Sequence, residues 1–171
     1  MVQKEIAQGD LLFHTVHGVC RVDEIEREGS RSREALSYSL VPNSANKLKV
    51  RFVVPAASMK LSGFHVLISP KMAQEILECL KAGDFSSGST EENQAWVLAK
   101  AIYDSSQDDL GLRDARKRQM LERSAVGLVG ELAFVLKMTL KEAATSVKKS
   151  LGDPSQIKPM LLAALSHASE G

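Results

Sequence analysis

The chain has 171 residues, a formal net charge of +1 and two cysteines, with 44% hydrophobic and 25% charged residues. This is the composition of one medium or two small globular domains; it excludes a disulfide framework and a bulk polycation. No run nears the roughly 20 apolar residues that span a bilayer, and Met1-Val2-Gln3-Lys4-Glu5 carries no apolar secretory core, so a cytoplasmic setting is expected.

Up to about residue 62 the pattern is that of strands. Leu11, Leu12 and Phe13 form an apolar run, and Val19, Arg21, Val22 and Ile25 mix core and solvent positions. Together they predict a hairpin over Asp10–Glu28, turning at His17-Gly18, where Gly18 calls for positive φ or a bulge. A polar turn follows at Glu28–Arg33. Leu36–Val41 alternates with period two, Pro42–Asn46 reads as a loop, and Leu48–Val54 is a strand stopped by Pro55. Four or five short strands predict a small, bent antiparallel sheet or open barrel.

From Ser69 the period becomes helical. Ser69-Pro70 supplies an N-cap and a proline at the first helical position, with Met72, Ile76, Leu77 and Leu80 on one face and Gly83 as the stop. Ser89–Glu92 has the spacing of a capping box before a helix carrying Trp96, Val97, Ala99, Ile102 and Tyr103. After a polar break at Ser105–Leu110, a long helix is predicted from about Arg113 to Lys137. A second capping box, Thr139 with Glu142, opens a helix to about Leu151, and a last helix covers Ile157–His167. The fold class expected is α+β, a small bent sheet over 1–62 followed by an all-helical domain over 63–171.

Charge is segregated along the helical part. Between Asp84 and Leu110 six acids face Lys100 alone, a balance of −5, whereas Gly111–Ser150 carries nine bases and four acids, a balance of +5. Arg113, Arg116, Lys117 and Arg123 fall on or near one helical face. There they either neutralise phosphates with salt-sensitive, sequence-independent affinity or form the solvated side of an amphipathic helix. Basic residues at a helix N-terminus oppose the macrodipole, a mild cost that points toward a binding role.

Trp96 either packs in the helical core or presents an aromatic wedge to unpaired bases. His14, His17 and Cys20, spaced three and three, invite zinc. A strand-turn-strand does not converge such residues as a helix does and no fourth ligand is evident, so a structural hairpin is expected and no metal. Cys20 and Cys79 read as buried reduced thiols; neither lies in a nucleophile signature, and no phosphate-binding or dinucleotide glycine pattern occurs. The chain is therefore read as a non-enzyme without cofactors.

The order of several segments resembles the CarD/CdnL family of bacterial RNA polymerase-binding regulators, whose module also occurs in transcription-repair coupling factors. Gly9-Asp10-Leu11-Leu12-Phe13 followed by His17-Gly18-Val19, Val22 and Ile25-Glu26 is similar to the family's opening. Val50-Arg51-Phe52-Val53-Val54-Pro55 is similar to its strand-then-proline segment, and Ser62-Gly63-Phe64-His65 stands at its linker. Ile76–Gly83 is similar to its first helix, and Lys117–Leu121 with Leu128-Val129-Gly130-Glu131-Leu132-Ala133 to its late helix.

The resemblance implies a Tudor-like N-terminal domain that binds the RNA polymerase β subunit and a helical domain that contacts promoter DNA. Carried over by position, Arg27, Arg51 and Val53 face the polymerase, by an edge that extends a sheet. Arg113, Arg116, Lys117, Arg123 and Trp96 face DNA. The interval before Trp96 is shorter than in family members by roughly a helix, so Trp96 aligns with the start of the next helix. The alternative is a protein–protein interaction adaptor whose helical domain binds another protein instead of DNA.

Overall fold

The structure, a computed structural model, describes residues 6–28, 35–43, 50–86, 93–107, 114–153 and 155–170. The chain divides into two compact units, Met1–Leu67 and Ile68–Gly171. The architecture is α+β, an antiparallel sheet followed by helices.

In the first unit β1 (Leu11–His14), β2 (Gly18–Glu28), β3 (Ala35–Pro42), β4 (Phe52–Pro55) and β5 (His65–Val66) form a five-stranded sheet in the order β4-β3-β2-β1-β5. The hairpin turns where expected, over residues 15–17, and Gly18 adopts φ +66° as it closes the turn. Cross-strand pairs set the inner face: Leu12 opposes Cys20, Val22 opposes Leu40, and Tyr38 opposes Val54. These six and Phe64 are all buried and make one core. Directly opposed residues point to the same side of a sheet, so the alternation read in Leu36–Val41 becomes an inner row of Leu36, Tyr38 and Leu40. Between Val22 and Glu24 the register shifts, and Asp23 occupies the bulge.

After β4 the chain makes a 3₁₀ turn (Ala56–Ser58), a short helix α1 (Met59–Ser62) and β5, none of which the periodicity announces. Two residues are too few to show alternation. β5 nonetheless pairs with β1, Leu12 opposite Val66 and Phe13 opposite His65. That pairing draws residues 63–67 into the first unit and puts the division after Leu67 rather than after residue 62.

The second unit holds α2 (Pro70–Ala82), α3 (Gln94–Gln107), α4 (Ala115–Leu136), α5 (Leu140–Ser150) and α6 (Pro159–Glu170). α2 begins as read, with the Ser69 hydroxyl accepting the Met72 N–H and proline at the first position, and it ends at Gly83. The capping box read at Ser89–Glu92 lies outside the described residues. Ahead of α3, Asn93 Oδ1 accepts the Ala95 N–H at 2.9 Å. The Thr139–Glu142 box forms in full.

α4 is the hub, packed against α3, α5 and α6, with Leu121, Ala125, Leu128, Val129 and Leu132 in the core. Each fully buried leucine contributes roughly 1.5–3 kcal/mol of apolar transfer. Glu131 is buried among them and its Oε1 accepts the Ile68 N–H at 3.1 Å, which fixes the first residue of the unit onto α4. Among the described residues no helix is long and apolar enough to cross a membrane.

Candidate functional site

Two surfaces carry the residues singled out in the sequence, one on each unit. The first is the outer edge of the sheet. β4 stands last in the strand order and pairs only with β3 among the described residues. Along it Phe52 and Val54 turn inward, whereas Val53 is 57% exposed on the other face, opposite Ser39. Ser39 in turn opposes Glu24, so Glu24, Ser39 and Val53 lie on one face across three strands, exposed at Glu24 and Val53 and buried at Ser39 between them.

Arg51 precedes this strand and is already engaged. Its Nη2 lies 2.8 Å from Asp23 Oδ2 and its Nη1 3.5 Å from Glu24 Oε2. The bulge aims Asp23 out of the strand toward this guanidinium, and Arg21 reaches the same carboxylate at 3.8 Å. All of these groups are part-exposed, so the pairs contribute little to stability. Their effect is positional: they hold the start of β4 against β2 across the intervening β3. Asp23 and Glu24 escaped the sequence reading because nothing local ties them to a residue 27 or 28 places away.

Arg27 is exposed but opposes Leu36, whose register parity is that of the inner row. Arg51 and Val53 share the outer face; Arg27 does not join them there. The structure thus brings together two of the three residues assigned to the polymerase, joined by Asp23 and Glu24.

The second surface is the start of α4. Asp114 caps it, its Oδ1 accepting the Arg116 N–H at 2.8 Å. Residues 114–120 are all exposed, and the first buried position is Leu121. The leading two turns therefore project from the helical core, carrying Arg116, Lys117 and Arg118, with Arg123 one turn on. Arg116, Met120 and Arg123 are spaced four and three and share a stripe, Met120 being 65% exposed between the two cations. Arg113 lies outside the described residues.

Trp96 requires a correction. It is 5% exposed, meets Phe85 edge-on at a centroid distance of 6.0 Å, and belongs to the helical core. A side chain held there is no wedge for bases. The physical reason is α3's place in the bundle: Ala95, Trp96, Leu98, Ala99 and Ile102 are all buried, leaving Val97 as the exposed apolar residue nearby.

The three hairpin candidates for a metal do not converge. Cys20 is fully buried in the sheet core, while the His14 and His17 rings stack on each other at 4.6 Å. Among the described residues no group of three or more His, Cys, Asp or Glu is placed to hold an ion. Burial pushes the thiols of Cys20 and Cys79 up, Asp84, Glu75 and Glu78 adding to the effect at Cys79, so both stay protonated at neutral pH. Neither is an activated nucleophile.

No protein-family model matches the chain, and no curated protein does.

Proposed function

We propose that this protein is a CarD-like bacterial transcription regulator, cytoplasmic and without catalytic activity, that binds the RNA polymerase β subunit through its sheet unit and promoter DNA through its helical unit. The observation that carries the first half is β4: an outermost strand with Val53 exposed on one face and Arg51 fixed beside it. Such an edge accepts another chain's strand through main-chain hydrogen bonds, and the flanking side chains select the partner. The ordered likeness of the opening, strand-then-proline and late-helix segments to CarD/CdnL members supports the same partner.

The projecting start of α4 supports the second half. Four exposed cations within eight residues, three of them on turns clear of the core, suit contact with a phosphate backbone. With Trp96 buried, this contact is made by charge, without an aromatic stack. The adaptor reading draws on exposed Val97, Met120 and Phe134, which give the helical unit apolar residues for a protein partner.

Capture of purified RNA polymerase on the immobilised protein tests the first half, with Arg51→Glu as the variant. The new carboxylate replaces both ion pairs with repulsion from Asp23 and Glu24, so capture is expected to fall while the helical unit melts unchanged. Capture unaltered by Arg51→Glu would remove β4 from the interface.

A further inference from the structure

The turn between β1 and β2 is stitched by a side chain. His14 Nδ1 accepts the backbone N–H groups of Val16 at 3.0 Å and His17 at 3.2 Å. A ring nitrogen that accepts carries no proton, so the ring is neutral with its proton on Nε2. That nitrogen faces residues 62–63: the Ser62 backbone hydrogen-bonds the ring, and a Cβ on Gly63 would lie 2.9 Å from Nε2. Gly63 is thus required for the close approach.

The ring's faces are occupied as well. Phe64 packs on it at 4.7 Å, and His17 stacks on it at 4.6 Å with 24° between planes. His17 also meets Phe52 in a tilted contact, centroids 4.4 Å apart and 32° between planes. Phe52 is the first residue of β4 and stands between Arg51 and Val53, so a series of ring contacts leads from His14 through His17 to the outermost strand.

The titratable groups acting on His14 are His17 in the turn and His65 on β5; Gly18 is its partner on β2, residues 62–64 present the Ser62 backbone and the Phe64 ring, and Phe52 of β4 reaches it through His17. A proton arriving from solvent must go to Nδ1, where it meets the Val16 and His17 N–H groups donor to donor. Both bonds break, and the new charge stands beside two further imidazoles.

We propose that His14 is a proton-operated latch on β4: neutral, it holds the turn and, through His17, Phe52; protonated, it releases both and weakens docking of the RNA polymerase β subunit. The docking half rests on the function proposed above. Burial and the neighbouring His17 depress the ring's affinity for the proton, in keeping with a latch that stays closed at neutral pH.

The test follows the amide signals of Val16, His17 and Phe52 in the full ¹⁵N-labelled chain from about pH 8 to about pH 5, a range that brackets histidine titration. A common midpoint below the ordinary histidine value is expected. His14→Asn keeps an acceptor for the same two N–H groups, as in an Asx turn, and cannot titrate, so its amides stay put. Flat amides in the parent protein, or the same titration in His14→Asn, overturn the latch.

Should the variant not fold, the parent's ring nitrogens decide: a bare Nδ1 at pH 8 that titrates with the amides supports the latch, and a protonated Nδ1 there overturns it. In parallel, capture on the isolated β subunit is compared at neutral and acid pH. If acid leaves β4 in place a tenth of the time, the parent's affinity falls about tenfold, and that of His14→Asn holds. Equal capture by the parent at both overturns the docking half. Absence of capture at either pH counts against the polymerase partner, and the amides still decide the latch.

Discussion

Replacing Arg116 and Lys117 by alanine removes half of the cations on the projecting start of α4. Each Lys or Arg that meets a duplex phosphate steepens the dependence of log affinity on log salt by about 0.9. With Arg116, Lys117, Arg118 and Arg123 each on one phosphate, the slope is about −3.6, and affinity drops about 150-fold between 50 mM and 200 mM salt. The double variant retains two contacts, a slope of about −1.8 and a loss of about 12-fold over the same range. Fluorescence anisotropy of a labelled promoter duplex at four salt concentrations reads both slopes. Residues 114–120 are all exposed, so the variant should fold as the parent does. Emission from Trp96 should not change when DNA is added, because the indole is buried against Phe85. No binding at low salt, or equal slopes for parent and variant, would refute the placement of DNA on α4 and favour a protein partner for the helical unit.

Lys137 ends α4 in the left-handed conformation at φ 54°, with the Met138 N–H reaching back to the Ala133 carbonyl; Lys137→Gly should stabilise the helical unit by about 0.5–1 kcal/mol, seen as a raised urea midpoint. Glu131→Ala strips the buried Ile68 N–H of its acceptor and should cost about 1–3 kcal/mol, whereas Glu131→Gln retains an accepting oxygen and costs less. Equal losses in the two would mean that the hydrogen bond is not what matters. For the sheet unit, burial and the neighbouring His17 hold the folded His14 below the ordinary histidine value, so the unfolded chain takes the proton first. Its contribution to stability is complete above that pH and is lost as pH falls from there through the folded value. Urea unfolding followed through β1 and β2 amides should show that decline, and His14→Asn should lack it.

What could be read from the sequence was local chemistry. Ser69-Pro70 with Gly83, and Thr139 with Glu142, each specify a helix end within a few residues, and each is found as read. Gly18 marks the hairpin corner for the same reason. What could not be read depends on partners far along the chain. β5 is two residues whose strand character comes from β1, more than fifty positions earlier. Glu131 looks like a surface acid on a helix until Ile68, 63 residues away, is seen to need an acceptor.

The candidate sites divide in the same way. The cations of α4 were visible as a cluster, and their exposure goes with a helix whose first buried position is Leu121. The engagement of Arg51 by Asp23 and Glu24 depends on a bulge that shifts the register by one residue, and the same shift settles which face Arg27 shares. Trp96 could be read as core or as wedge because helical periodicity alone does not say how many helices surround α3.

The central claim is that β4 docks on RNA polymerase. Titration of the full chain with purified RNA polymerase β subunit, parent against Val53→Asp, tests it most directly. Val53 is exposed and makes no core contact, so the change leaves the sheet intact. Loss of its apolar burial and introduction of an unpaired charge at the interface should weaken binding at least about tenfold. Equal affinity for the two proteins, or no binding by the parent, would contradict the claim.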